Sequence, residues 1–246
     1  MHDADIVKKE DAMRAVALVG WKKSGKTTLA VALAQELSRR GLRVGAVKHS
    51  HHGLDVPGSD TAQLAEVCSV VAGAAPGQSV VWWGAERSPH DLVSLLDAQV
   101  LLVEGGKEWG WLPRILVAPG RGEDPAALVT GRELGVFGPA PVAGLAATQD
   151  VAVVADWVLE RGFALAGLDC GACGKDSCAA LAQAIVAGFA RPEDCVAQAP
   201  AVRVRCGGRD LALGPFVERL VQATLRGLLS ELKGYVPGQP VRIEME

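Results

Sequence analysis

The chain has 246 residues and a mass of 25.6 kDa, which corresponds to one large domain or two smaller ones. Its 49% hydrophobic and 22% charged residues can bury a core and argue against a disordered chain, and a net charge of −3 gives no reason to expect nucleic-acid binding. Because no apolar run approaches the ~20 residues of a membrane helix, and residues 1–14 lack the apolar stretch of a secretory signal, we expect a cytoplasmic protein that binds no membrane.

Strands and helices are predicted to alternate over residues 14–161, after a flexible N-terminal arm at 1–13. The predicted strands and further short apolar runs lie at 14–20, 42–47, 69–74, 79–84, 99–106, 115–120 and 141–146, and the predicted helices at 26–40, 61–67, 89–97 and 151–161. Several of these apolar runs are continuous rather than alternating, which is typical of strands buried on both faces. The pattern predicts an α/β domain with a mostly parallel sheet covered by helices on both faces.

The composition changes at about residue 162, where cysteines become frequent. A short Ala-rich helix is predicted at 177–188, a hairpin at 202–213 that turns at Gly207–Gly208, and an edge strand at 241–245. An apolar stripe at helical spacing predicts a further helix, with core packing or a dimer face as its role, and consists of Phe216, Leu220, Val221, Leu225, Leu228, Leu229 and Leu232. We therefore predict a second, small α+β domain over 162–246.

The run GWKKSGKT from Gly20 to Thr27 fits the phosphate-binding pattern G-x-x-x-x-G-K-[ST], between a predicted strand and a predicted helix. In such a loop the glycines permit a tight turn whose N–H groups point at phosphate oxygens, and the helix N-terminus adds a favourable dipole. Lys26 would reach the β and γ phosphates, and the Thr27 hydroxyl would bind Mg²⁺. The motif predicts a nucleoside triphosphate but does not choose the base.

Two further features lie at the predicted carboxyl edge of the sheet. Glu104 ends a buried strand, where a carboxylate can hold Mg²⁺ or position water. The loop 48–60 after another strand is predicted either to contact phosphate through Lys48, to bind a divalent metal, or to be a solvated polar loop. Its candidate metal ligands are His49, His51, His52, Asp55 and Asp60.

The motifs GWKKSGKTTL, VKHSHH, DVPGSDT and LLVEGGK together resemble the MobB-type molybdopterin-guanine dinucleotide biosynthesis proteins, over residues 14–161. The resemblance implies a P-loop GTPase fold, GTP binding with weak hydrolysis, a homodimer, and support of the enzyme that attaches GMP to the molybdenum-pterin cofactor. Lys26 and Glu104 would be the catalytic residues, and Thr27 and Glu104 the Mg²⁺ ligands. The implied nucleotide-binding residues are Gly20, Lys23, Ser24, Gly25, Lys26, Thr27, Thr28, Lys48, His49 and Asp60.

The chain departs from the family pattern in two places. The run TAQLAEV after Asp60 lacks the arginine that the family usually has there, and no clear N-K-x-D guanine motif is present, although residues 148–150 could be a degenerate version. The candidates for an arginine finger are Arg39, Arg40 and Arg114, chosen only because they are arginines. Slow intrinsic turnover, by positioning and charge neutralisation, is the expectation.

Four cysteines follow the spacing C-x₂-C-x₄-C-x₁₆-C, and they are Cys170, Cys173, Cys178 and Cys195. Structural zinc sites more often pair two C-x₂-C turns, whereas three close thiolates and a remote fourth favour a [4Fe–4S] cluster. Zinc, or no metal, remains an alternative. The stretch is similar to the small iron–sulfur domain of electron-transport complex subunits and corrinoid iron–sulfur proteins. Cys68 and Cys206 are expected to be buried or incidental thiols.

The leading hypothesis is a GTP-binding accessory protein, a weak GTPase, for molybdopterin-guanine dinucleotide cofactor biosynthesis or insertion. Its iron–sulfur module would sense redox state or dock a client molybdenum or tungsten oxidoreductase. One alternative is a metallochaperone-type NTPase that holds metal in the histidine loop. Another is an electron-transfer or docking protein whose P-loop only senses nucleotide.

Overall fold

The computed structural model describes residues 13–50, 59–93, 95–120, 122–198, 202, 204–206, 209–211, 215–236, 241 and 243. Most of the predicted arm 1–13, the turn at 207–208 and most of the predicted strand 241–245 lie outside the described residues. Within the described part, no helix is both long enough and apolar enough to cross a bilayer.

Ten strands, six α-helices and three short 3₁₀ helices form the described structure. The strands are β1 Arg14–Val19, β2 Val44–Lys48, β3 Val70–Ala75, β4 Gln78–Trp83, β5 Val100–Glu104, β6 Arg114–Val117, β7 Glu133–Phe137, β8 Ala147–Thr148, β9 Val204–Cys206 and β10 Arg209–Leu211. The helices are α1 Lys26–Arg39, α2 Asp60–Ala65, α3 Pro89–Val93, α4 Val151–Arg161, α5 Cys178–Val186 and α6 Pro215–Ser230.

The main sheet has six parallel strands in the order β2-β5-β1-β6-β7-β8. The central strands β1 and β5 are almost entirely buried, as their continuous apolar runs predict. The chain order places β1 in the middle, so that the loop after it opens at the carboxyl edge where ligands bind in α/β sheets. The predicted α/β P-loop fold is confirmed.

One face of the sheet is covered by helices α1 and α4. Leu29, Leu33 and Leu37 recur along α1 at helical spacing and are all buried, and Val154 and Val158 of α4 join the same cluster. Burial of each such leucine side chain contributes about 1.5–3 kcal/mol to the free energy of unfolding. The face is therefore closed by the helix that begins at the phosphate loop, which fixes the position of that loop on the sheet.

The opposite face is covered by α3 and by the cysteine-bearing segment. Phe163, Leu165 and Leu181 are buried in one cluster with β1, β5 and β6 residues, and Cys178 and Cys195 belong to the same cluster. Leu92 and other partly buried side chains of α3 pack against it. Residues 163–197 thus share a hydrophobic core with the sheet.

Strands β3 and β4 form an antiparallel hairpin that is separate from the main sheet. Their residues are largely exposed, among them Val70 at 47% and Val81 at 43%. The apolar, strand-forming residues of β3 and β4 led to the prediction that both belong to the mostly parallel sheet. In the structure each of the two strands pairs with the other instead. Cys68, next to the hairpin, is exposed rather than buried.

The sequence pattern does not predict β7, and it predicts the neighbouring strand a few residues too early. The run 141–146 forms only an isolated bridge between Val142 and Leu145, and the short strand β8 follows it. Strand β7 begins with Glu133, a residue that disfavours a buried strand unless it is paired. Its partner is Arg114 at the beginning of β6, and the carboxylate and guanidinium lie 2.9 Å apart with almost no exposure.

Candidate functional site

The phosphate-binding loop joins the end of β1 to the beginning of α1. Gly25, the residue before the helix, has a φ of +94°, and Lys23 has a φ of +64°. This left-handed backbone turns successive N–H groups toward one side, as a phosphate cradle requires. The turn is closed by the N–H of Ser24, which donates to the carbonyl of Trp21 at 3.2 Å.

Gly20 is required by a close approach of the loop to the sheet. A Cβ at this position would lie 2.5 Å from Oγ of Ser24 and 2.6 Å from the carbonyl oxygen of Val117 in β6. Because the second of these atoms belongs to the backbone of a central strand, it cannot move aside cheaply. Ser24 itself is buried, and its hydroxyl has no hydrogen-bond partner among the described residues.

Lys26 folds back over the loop. Its ammonium donates to the carbonyl oxygens of Gly20 at 3.1 Å and Trp21 at 2.7 Å. Burial lowers the pKa of Lys26 from its ordinary value, Glu104 opposes the shift, and the positive charges of Lys107 and Lys48 add to it. The amine is thereby held at the mouth of the loop, where phosphate oxygens would be stronger acceptors than carbonyls.

Glu104 collects donors from two different elements. The β2–β5 register sets Lys48 beside Glu104, and the Lys48 ammonium lies 2.9 Å from Oε1. The hydroxyl of Thr27 donates to the same oxygen at 2.8 Å. A hydroxyl and a carboxylate beside a phosphate loop match the oxygen ligands that Mg²⁺ prefers. In this structure the Lys48 ammonium supplies the positive charge at the carboxylate.

Loop 48–60 is described only at its two ends. His49 lies with Nδ1 3.3 Å from Oε1 of Glu108, and its ring is 5.1 Å from that of Trp109. Asp60 begins helix α2, whose N-cap is Ser59. The candidate ligands His51, His52 and Asp55 lie outside the described residues, so the metal-binding alternative for this loop remains a prediction.

A cavity of about 690 Å³ opens beside the phosphate loop at the carboxyl ends of the strands. Trp21 and Ser24 line one side of it, and Val117, Asp124 and Pro139 line the other. The indole N–H of Trp21 donates to the carbonyl of Asp124 at 3.0 Å, which holds the two sides together. The volume is in the range of small-molecule sites, about 300–1,000 Å³.

The four predicted cluster ligands line one small cavity on the other face of the sheet. Cys178 and Cys195 are buried, Cys173 is partly buried and Cys170 is exposed. The structure therefore brings together all four cysteines that the spacing had selected. Among the described residues, no three His, Cys, Asp or Glu side chains are placed to share a single metal ion.

Asp169 makes two hydrogen bonds to Cys178, one of the cysteines that line this cavity. Its carboxylate accepts from the N–H of Cys178 at 2.6 Å, and its own N–H donates to the Cys178 sulfur at 3.4 Å. Ser177 caps α5 and accepts from the N–H of Ala180 at 3.1 Å. Burial raises the pKa of the Cys178 thiol, and the hydrogen bond from the Asp169 N–H opposes that rise.

Comparison with known proteins identifies the family. A family model described as "Molybdopterin guanine dinucleotide synthesis protein B", or MobB, matches residues 15–133. The molybdopterin-guanine dinucleotide biosynthesis adapter protein of Escherichia coli strain K12 is 33% identical over 166 residues, which span 59% of this chain and 91% of that protein. The chain belongs to the MobB family.

Similarity to the MobB family extends beyond that region in one relative. A protein of Methanocaldococcus jannaschii, named "Putative molybdopterin-guanine dinucleotide biosynthesis adapter protein", is 24% identical over 247 residues, or 95% of this chain and 98% of that protein. The crystal structure of Bacillus subtilis MobB is 26% identical, covers 60% of this chain and 97% of that one, and has a TM-score of 0.49. A second family model, described as "Putative Fe-S cluster", matches residues 165–197.

Several residues around the MobB phosphate loop escaped the sequence analysis. Lys107 lies over the Trp21 ring, 4.4 Å from its centroid, and Glu108 pairs with His49. Lys107 is the last residue of the LLVEGGK motif and Glu108 follows it, so their position close after Glu104 was the available signal. Thr28 is exposed on the first turn of α1, as is Lys23 on the loop.

The three arginine-finger candidates are engaged elsewhere. Arg39 and Arg40 pair with Glu36 on α1, and Arg40 also reaches Asp156 on α4. Arg114 is buried against Glu133. In the 148–150 run, the Asp150 carboxylate caps helix α4 by accepting from the N–H of Ala152 at 2.8 Å, a structural role that occupies the residue on which a guanine motif would depend.

Proposed function

We propose that the protein is a GTP-binding adapter, with weak GTPase activity, that assists molybdopterin-guanine dinucleotide cofactor biosynthesis or insertion. The observation that carries this is the convergence of Thr27 and Lys48 on one oxygen of Glu104, beside a phosphate loop of the required conformation. Membership of the MobB family, with relatives named as adapter proteins of this pathway, supports the choice of GTP and of the process.

The residues of the loop would act by position and charge. Loop N–H groups and Lys26 would hold the β and γ phosphates, while Thr27 and Glu104 would hold Mg²⁺, whose charge would neutralise the transferring phosphoryl group. Lys48 would leave Glu104 for a phosphate oxygen when Mg²⁺ takes its place. Turnover should be slow, because Arg39 and Arg40 lie at the end of α1 that is away from the phosphate loop, and Arg114 is buried against Glu133.

The cavity beside Trp21 would receive the nucleoside. It adjoins the phosphate loop and is lined by residues of the turns after β6 and β7. Its volume suits a base and ribose. Glu123 offers a carboxylate at the cavity, which could accept from the N–H groups of guanine in place of an N-K-x-D aspartate. The neighbouring Asp124 carboxylate already accepts from the N–H of Ala126 at 2.9 Å.

The cysteine cavity would hold a [4Fe–4S] cluster on Cys170, Cys173, Cys178 and Cys195. A cluster offers one iron to each thiolate and so spreads the sulfurs further apart than a single zinc ion does. What supports a cluster here is that all four thiols line one cavity, with three of them close together in the sequence. The cluster would supply one-electron redox chemistry or a docking surface for a client molybdenum or tungsten oxidoreductase.

The exposed hairpin β3–β4 would make the protein a homodimer. A two-stranded ribbon is at best marginally stable in water, and this one exposes apolar side chains such as Val70 and Val81. A second copy, or the GMP-attaching enzyme, could cover it. Light scattering measures the mass of the protein alone, without the GMP-attaching enzyme. If a second copy covers the hairpin, the protein should be dimeric and the Val81→Lys variant monomeric; if the enzyme covers it, both should be monomeric.

An anaerobic calorimetric titration of the cluster-containing protein with GTP and with ATP, each with Mg²⁺, tests the nucleotide assignment. We expect a clear preference for GTP, and loss of binding in Lys26→Ala but not in the exposed control Lys233→Ala. Preference for ATP would refute the GTP adapter and favour the metallochaperone. Unchanged binding in Lys26→Ala would show that the loop does not hold the phosphates.

A further inference from the structure

The segment that connects β5 to β6, residues 105–113, joins the two sites. It leaves Glu104 at the carboxyl edge of the sheet and returns to Arg114 at the opposite edge. It does so as an irregular chain across the face that carries the cysteine segment, and its residues Trp111 and Leu112 are buried there. We call it the β5–β6 connection.

At its first end the β5–β6 connection is built into the nucleotide site. The N–H of Gly105 donates to the carbonyl of Leu18 at 3.1 Å, and a Cβ on Gly105 would lie 2.9 Å from the carbonyl oxygen of His49. Lys107 covers the ring of Trp21, and Glu108 holds His49. A change in the Glu104 environment therefore reaches this end directly.

At its other end the β5–β6 connection contacts the cysteine segment. Gly110 packs so closely on Ala179, the residue after Cys178, that a Cβ would lie 2.9 Å from the Ala179 Cβ and 3.1 Å from its nitrogen. The carbonyl of Trp111 accepts from the N–H of Leu165 at 2.9 Å. Any displacement of Gly110 therefore acts on the first turn of α5.

The middle of the β5–β6 connection is stiff. The indole rings of Trp109 and Trp111 stack at 5.9 Å, with 17° between their planes. Arg132 donates to the carbonyl of Trp109 at 2.5 Å, and Arg114 to that of Lys107 at 3.1 Å. Because the rings are packed and the guanidiniums are buried, a displacement at one end of the segment should move the whole segment rather than be taken up by a few residues.

We propose that the β5–β6 connection couples nucleotide binding at the phosphate loop to the state of the cysteine centre. The proposal rests on the proposed function, since it needs both GTP and the cluster. Coupling between sites is reciprocal: if reduction of the cluster changes GTP affinity, GTP must change the reduction potential by the same free energy. The two effects can therefore be measured independently and compared.

The test uses the full-length, cluster-containing protein under anaerobic conditions. The Kd for Mg–GTP is measured with the cluster oxidised and with it reduced, and the midpoint potential with and without Mg–GTP. We expect the two Kd values to differ by at least about fivefold. For a one-electron couple this ratio corresponds to a shift of about 40 mV. Equal Kd values and an unmoved potential would overturn the coupling.

Two variants test the route. Gly110→Ala adds a methyl group against Ala179, and we expect the ratio of the two Kd values to fall toward 1 while GTP and cluster still bind. Gly227→Ala on α6 is the matched control, since nothing lies within 4 Å of its new Cβ. If Gly110→Ala does not fold, Glu108→Gln gives a second test. It weakens the contact between the β5–β6 connection and His49, and the Glu108 side chain is exposed, so the substitution should not disturb folding.

The outcomes separate this inference from the proposed function. If the protein binds GTP tightly and holds an intact cluster, but neither changes the Kd or the midpoint potential of the other, the coupling alone is refuted. A protein that binds no GTP, or assembles no cluster, refutes the proposed function and the coupling with it. Full coupling in both Gly110→Ala and Glu108→Gln would show that the sites do not communicate through the β5–β6 connection.

Discussion

Replacing Glu133 by glutamine should destabilise the protein far more than removing a carboxylate at the surface. Glu133 accepts from Arg114 at 2.9 Å and from the N–H of Gly131 at 2.8 Å, and both members of the ion pair are buried. The neighbouring Arg132 has its pKa lowered to about 10, by burial first and by the Arg114 charge second, with Glu133 opposing the shift. Glu133→Gln therefore leaves the buried Arg114 guanidinium without its counter-ion, and it removes the negative charge that opposes the pKa shift of Arg132.

The magnitude follows from the burial. Breaking a buried pair by removing one partner costs about 3–5 kcal/mol, whereas an exposed pair is worth about 0–1 kcal/mol. At about 2–4 °C per kcal/mol for a chain of this size, the apparent Tm of Glu133→Gln should fall by roughly 6–20 °C. Asp97→Asn is the matched control, because it breaks a pair with Arg43 whose side chains are 88% and 60% exposed.

Thermal unfolding of the anaerobic protein, followed by far-ultraviolet circular dichroism, measures both variants at one heating rate. A double variant, Arg114→Met with Glu133→Leu, should recover part of the loss, because replacing both members of a buried pair by apolar groups removes the unpaired charge. Equal shifts for Glu133→Gln and Asp97→Asn would refute the reasoning, since they would mean that burial adds nothing to the cost.

Three further predictions concern the sites themselves. Gly20→Ala should abolish GTP binding, measured by calorimetry, because its Cβ would lie 2.6 Å from a backbone carbonyl of β6, whereas Gly227→Ala should bind normally. The pKa of Lys26 is lowered, and the amine is charged only below that pKa, so the affinity for inorganic triphosphate should fall as the pH rises through it. In alkaline buffer, binding should therefore be accompanied by proton uptake, which calorimetry in two buffers of different ionisation enthalpy measures. Cys195→Ser should lose most of its iron and visible absorption, while the exposed Cys68→Ser should keep both.

The local parts of the protein could be predicted from the sequence. The phosphate loop is encoded together with its flanking strand and helix in one short stretch of sequence, and Glu104 is marked by the buried strand that it ends. Each of these two patterns is readable without knowledge of contacts. The bounds of α4 were predicted at 151–161 and are confirmed because Asp150 caps one end and a glycine follows the other. The four cysteines were likewise identified by spacing alone.

The parts that were missed depend on distant partners. Strand β7 begins with Glu133, and a charged residue does not fit the apolar pattern that predicts a buried strand. The ion pair with Arg114 compensates the burial of that charge, and the sequence pattern does not show this pair. The hairpin β3–β4 was counted among the parallel strands because local sequence does not say which strand a neighbour will pair with. Arg40 and Arg114 could be dismissed as arginine fingers only once their carboxylate partners were known.

The sequence by itself determined which residue types stand at the two sites and predicted their chemistry, since a phosphate loop and a cysteine set are defined by residue types at short fixed spacings. Only the tertiary structure decided that they share one folded body. The contact of Gly110 with Ala179 and the hydrogen bond from Leu165 to Trp111 join residues more than fifty positions apart. Such contacts follow from the burial of apolar surface across the whole chain, which no local pattern records.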